Sequence, residues 1–62
     1  MNLIKIKGIH DKSIFINSDN ITFITCETIE NDDYTVIHLT DKAEIYTKQT
    51  VKEIVELIRK GE

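Results

Sequence analysis

Thr50-Val51-Lys52-Glu53-Ile54-Val55-Glu56-Leu57-Ile58-Arg59-Lys60-Gly61 is the stretch that decides the fold. Thr50 and Glu53 stand at capping-box spacing, where a threonine hydroxyl and a glutamate carboxylate each satisfy a backbone N–H that a helix start leaves free. Val51, Ile54, Val55 and Ile58 follow at helical spacing, with Leu57 widening the stripe. Arg59 and Lys60 complement the negative helix end, and Gly61 suits the left-handed residue that terminates a helix. Such a helix presents one apolar face and must bury it. The remainder of the chain therefore has to supply a matching apolar surface.

Upstream, the apolar residues change period. From Leu3 to Ile9 the residues alternate, with Ile4 and Ile6 on one face and Leu3, Lys5 and Lys7 on the other, as in a half-buried strand. His10-Asp11 falls where a tight turn is needed, and Ser13 to Asn17 returns with Ile14 and Ile16 on one face and Phe15 on the other. The turn-formers Asn17-Ser18-Asp19-Asn20 break the chain again. A third strand runs from Ile21 to Glu27; the spacing of Ile21 and Ile24 breaks strict alternation and predicts a bulge that turns both inward. Thr28 to Asp33 is polar and acidic and reads as a loop. Tyr34 to Leu39 and Ala43 to Thr47 are the fourth and fifth strands, joined by a turn at Thr40-Asp41-Lys42. Short connections favour antiparallel neighbours. The expected fold is α+β, one domain over residues 1–62: an antiparallel β-meander of about five strands with one C-terminal amphipathic helix on one face. Ile4, Ile6, Ile14, Ile16, Ile37, Leu39 and Ile45 form the sheet's half of the core.

Sixty-two residues is close to the lower limit for independent folding, since a chain this short buries only roughly 60% of its unfolded surface. Disulfides, metals or partners usually supply the deficit. Cys26 is the single cysteine, which excludes an internal disulfide, and no Cys/His cluster could hold a structural metal. Homo-oligomerisation is left as the source of extra burial. The formal charge of −3 and the single arginine, Arg59, argue against direct nucleic-acid binding. Met1 to Lys7 interleaves lysines with apolar residues and does not read as a signal peptide, and no apolar run approaches the ~20 residues of a membrane span. With a free cysteine, the expected location is the cytoplasm.

The second face of the sheet should carry Leu3, Lys5, Lys7, Phe15, Tyr34, Val36, His38, Glu44 and Tyr46. A merely solvated face would be mostly Lys, Glu, Thr and Ser, whereas aromatics flanked by charge compose binding surfaces. Strands also favour Tyr, Val and Phe through cross-strand pairing, the alternative explanation of the same residues. The candidate interface is Lys5, Lys7, Phe15, Tyr34, Val36, His38 and Tyr46. His10 and His38 read as ordinary surface histidines, and Cys26 as a small buried hydrophobe. Glu27, Glu30, Asp32 and Asp33 form an acidic loop without the glycine and ligand spacing of a calcium loop. Gly8 and Gly61 are the only glycines, too few for a phosphate cradle. No nucleophile–base spacing is recognisable, so no enzymatic activity, catalytic residue, metal or cofactor is expected.

Taken in order, Ile9-His10-Asp11-Lys12, Asn17-Ser18-Asp19-Asn20-Ile21, Val36-Ile37-His38-Leu39-Thr40-Asp41-Lys42 and Val51-Lys52-Glu53-Ile54-Val55 resemble the small bacterial flagellar proteins of the FlbD type over nearly the full length. Asp11 and Lys42 stand where that family carries turn glycines. The resemblance implies an accessory protein affecting motility or the flagellar motor, without catalysis and without site residues to carry over. A second expectation is a small inhibitor or ligand-sequestering homo-oligomer, such as a phage product, with Lys5, Lys7, Tyr34 and Tyr46 contacting ligand between subunits. A third is an acidic protein that occupies a nucleic-acid groove, which requires the acidic loop and the helix carboxylates to form one patch.

Overall fold

Alternation builds the first hairpin as the sequence predicts. In the computed structural model, which describes residues 2–60, β1 (Leu3–Lys7) buries Ile4 and Ile6 and exposes the residues between them. It pairs antiparallel with β2 (Ser13–Asn17), placing Ile4 opposite Ile16 and Ile6 opposite Ile14. His10 and Asp11 make the turn with φ of 60° and 57°, a left-handed conformation that costs an ordinary residue about 1–2 kcal/mol. Gly8, just ahead of it, serves a different need. Its φ is an ordinary −74°, but a Cβ there would stand 2.8 Å from Ile14 Cδ1 and 3.3 Å from the Lys12 carbonyl oxygen. A bare backbone lets the hairpin close.

β3 (Ile21–Ile29), β4 (Asp32–Leu39) and β5 (Glu44–Thr47) form a second, three-stranded antiparallel sheet in that order, and α1 spans Val51–Lys60. The register shifts between Ile21 and Phe23, the expected bulge, and both Ile21 and Ile24 pack against the core. The meander and its single helix are thus as expected, with three corrections. First, the strands do not form one sheet: β2 and β3 do not pair, because Asn17 accepts a hydrogen bond from the Asp19 N–H at 3.0 Å and turns the chain away. Second, Thr28 to Asp33 is not a loop. β3 and β4 stay paired out to Ile29 and Asp32, and only Glu30 and Asn31 turn, with φ of 49° and 70°. Both positions are left-handed, the conformation that matches the twist of a two-residue hairpin. Third, β5 begins at Glu44 rather than Ala43.

The two sheets meet at one corner. Gly8 and Thr47 form an isolated antiparallel bridge, and the buried Thr47 hydroxyl donates to the Lys7 carbonyl at 2.6 Å while accepting from the Gln49 N–H at 3.1 Å. Ile4, Ile6 and Ile16 from the hairpin, Ile37 from β4 and Ile54 from α1 then share one core, with Ile14, Ile21, Ile24, Leu39, Ile45, Leu57 and Ile58 packed around it. The helix start has the expected capping box: the Glu53 N–H donates to Thr50 Oγ1 at 3.2 Å, and the Thr50 N–H to Glu53 Oε1 at 3.4 Å. Ile54 is the helix residue driven fully inside, whereas Val51 and Val55 lie at the exposed margin of the stripe. Gly61 lies outside the described residues. Among the described residues, no helix is long and apolar enough to cross a membrane.

Candidate functional site

The outward face of the three-stranded sheet is a cross-strand array around Val36. Register places Phe23 beside His38, His38 beside Glu44, Thr25 beside Val36, Val36 beside Tyr46, and Glu27 beside Tyr34. The Phe23 and His38 rings stack, 4.0 Å between centroids and 10° from parallel. His38 Nε2 lies 2.9 Å from Thr25 Oγ1, and its Nδ1 lies 3.3 Å from Glu44 Oε2. A neutral imidazole that donates from Nδ1 to the carboxylate leaves Nε2 to accept the threonine hydroxyl proton. The half-buried His38 is therefore held on three sides, and the reading of it as an ordinary surface histidine is corrected. His10, by contrast, is exposed in its turn.

Hydroxyl, imidazole and carboxylate in this order also describe a hydrolase triad. Strand N–H groups lie in the plane of the sheet, so none is directed over the face to hold an oxyanion at Thr25. As it stands, the array chiefly fixes side chains.

Tyr46 closes the other half of the array. Its hydroxyl faces the Glu27 carboxylate, whose hydrogen-bonding and negative charge raise the phenol above its usual pKa of 10.0, with burial and Glu44 adding to the effect. To reach Glu27 on β3 from β5, the ring must cross β4, where it meets Tyr34 edge-on with 6.4 Å between centroids. Lys48 Nζ lies 5.6 Å from the Tyr34 ring centre, a cation–π contact. Val36, in the middle of these side chains, has 0% exposure. It belongs to the outward face as expected, but it is a foundation for the surface and not part of it.

The candidate interface residues consequently separate. Tyr34, Val36, His38 and Tyr46 belong to this face, while Lys5, Lys7 and Phe15 lie on the outward side of the hairpin, Phe15 being 64% exposed. Lys7 and Tyr34 do meet: both line a cleft of about 470 Å³ between the hairpin turn and the sheet, with His10, Asp11, Lys48 and Gln49. Lys7 spans its rim to Asp11 at 3.2 Å. Lys5 and Phe15 are not joined to the array by any bond or ring contact among the described residues. Thr25, Phe23 and Lys48 were missed; counting residues across the β3–β4 turn would have found Thr25 and Phe23 only if the turn had been placed at Glu30-Asn31.

Cys26 is exposed, not buried. It faces the core side of the sheet opposite Thr35, but β3 is an edge strand and, among the described residues, nothing covers it there. The acidic residues Glu30, Asp32 and Asp33 are all exposed at the hairpin tip, where Thr28 donates to Asp33 at 2.8 Å. No protein-family model matches the chain, and no curated protein or solved structure matches it either.

Proposed function

We propose that this protein is a non-enzymatic accessory protein of the cytoplasm that acts by protein contact, through the outward face of β3, β4 and β5. The observation that carries the reading is the fixed aromatic array. Phe23, 56% exposed, is stacked on a histidine that is itself tied to Thr25 and Glu44. Side chains already held in place lose little rotamer freedom when a partner covers them, which is the condition for an efficient contact surface. The assignment to motility follows the FlbD-type resemblance. It is supported by the left-handed backbone at Asp11 and Lys42, φ 57° and 70°, the conformation for which turn glycines at those places are suited. Deleting the gene tests this assignment: swimming in soft agar should fall and return on complementation, and unchanged swimming eliminates the motility role.

One observation favours a second reading, a small inhibitor or ligand-sequestering homo-oligomer. The cleft brings Lys7, Lys48 and Tyr34 to a single concavity. The Lys48 ammonium beside an aromatic ring, with Lys7 shared with Asp11 at the rim, suits a small anion with a planar part. The cleft lies within one chain, and light scattering that gives a monomer at all concentrations counts against the homo-oligomer in this reading.

A further inference from the structure

We propose that β3 is a self-pairing edge, through which two copies of the chain join antiparallel about a two-fold axis at Cys26 and double the three-stranded sheet. The proposal rests on the sheet edge alone and stands apart from the adaptor reading.

Among the described residues, β3 has β4 on one side and no strand on the other. The Ile21 N–H bonds to the Ser18 carbonyl, and among the described residues no backbone group of residues 22–29 bonds to backbone outside the β3–β4 ladder. A row of unpaired N–H and C=O groups is a template for another strand, and monomeric proteins usually block it with lysine, proline, short length or a bulge. β3 has nine residues, the longest strand here, with no lysine, arginine or proline, and Glu27 is its single charge. Its bulge lies at one end, between Ile21 and Phe23. The opposite edge is different: β5 has four residues and is already bridged to the hairpin at Thr47.

The strand is also complementary to itself. The regular part of its ladder runs from Phe23 to Ile29, and the middle residue of that run is Cys26. An antiparallel two-fold at Cys26 sets Phe23 against Ile29 of the partner subunit, Ile24 against Thr28 of the partner subunit, and Thr25 against Glu27 of the partner subunit. Phe23 and Ile29 are two of the exposed large apolar residues, 56% and 44%, and this register covers each with the other. Glu27 meets a threonine, so no like charges oppose one another. Residues directly opposite in an antiparallel pair lie about 4.5–5.5 Å apart at Cα, which requires a small side chain on the axis, and cysteine is one. The pairing would place two aromatic arrays side by side and supply burial that a chain of 62 residues lacks.

Sedimentation equilibrium of the full chain in reducing buffer tests the proposal, with reductant present so that no disulfide contributes. Wild type and Cys26→Ser should both dimerise, as should Val55→Lys on the helix. Cys26→Lys, which opposes two ammonium groups on the axis, should raise the dimer dissociation constant at least about a hundredfold, since juxtaposed like charges strongly disfavour an interface. A wild type that is monomeric up to about 1 mM overturns the proposal, and so does a Cys26→Lys variant that dimerises as wild type does. Should Cys26→Lys lose its fold by circular dichroism, amide exchange of the wild type decides instead. Residues 23–29 should gain protection from dilute to concentrated samples, and equal protection at both concentrations overturns the self-pairing.

Discussion

Among the described residues, five other than glycine hold positive φ: His10, Asp11, Glu30, Asn31 and Lys42. Asparagine and aspartate tolerate this conformation through local hydrogen bonding, but Lys42 has no such relief at φ 70°. Its N–H donates to the Leu39 carbonyl at 3.0 Å, a bond that any residue at the position keeps. Lys42→Gly is therefore expected to raise stability by roughly 0.5–1 kcal/mol, the left-handed penalty less the extra entropy of glycine, measured as a shift in urea midpoint at constant slope. Tyr46 gives a pH dependence. Its phenol pKa is raised in the folded protein, first by the hydrogen bond to Glu27 and then by that carboxylate's charge. The folded state thus holds this proton more tightly. The associated stability is fully present below the unfolded pKa of about 10 and is lost as pH rises through the higher folded value. Tyr46→Phe should flatten the alkaline loss of stability and remove a late phase from the phenolate absorbance titration; an unchanged titration contradicts the Glu27 pairing.

The helix was the most legible element, because its cap, stripe and end all point the same way. Thr50→Ala should cost about 1 kcal/mol, since the Glu53 N–H then loses its partner, and thermal unfolding of the variant measures it. Strand extents were less legible. Composition marks 28–33 as a loop, yet cross-strand pairing overrides it: Thr28 bonds to Asp33, and a two-residue turn is enough to reverse the chain. Placing that turn early fixes the register, and the register alone brings Thr25 to His38. Cys26 was misread for a related reason. A mid-strand apolar context implies burial only when the strand has neighbours on both sides, and β3 carries no lysine or proline to mark it as an edge.

At the scale of the molecule, the isoleucine core was readable from alternation, but the division into two sheets was not. The way the two sheets join depends on a few polar groups distant in sequence, above all the Thr47 hydroxyl on the Lys7 carbonyl and the Gln49 side chain accepting from the Lys7 N–H at 2.9 Å. Thr47→Val keeps the shape but strands the carbonyl of Lys7 and the N–H of Gln49 in a buried place. It should cost about 1–3 kcal/mol while leaving a single unfolding transition, because both sheets share one core. Val36 shows the same limit from the other side of the sheet: alternation assigned its face, and only the crossing of Tyr46 over β4 explains why it is sealed. The outward face of β3, β4 and β5 is the proposed contact surface. A photo-crosslinking phenylalanine analogue at Phe23, irradiated in the cell of origin, tests it most directly, with the same probe at Lys52 on the exposed side of the helix as control. A discrete covalent adduct from Phe23 and none from Lys52 is the predicted result; no adduct from Phe23, or the same adducts from both positions, would contradict it.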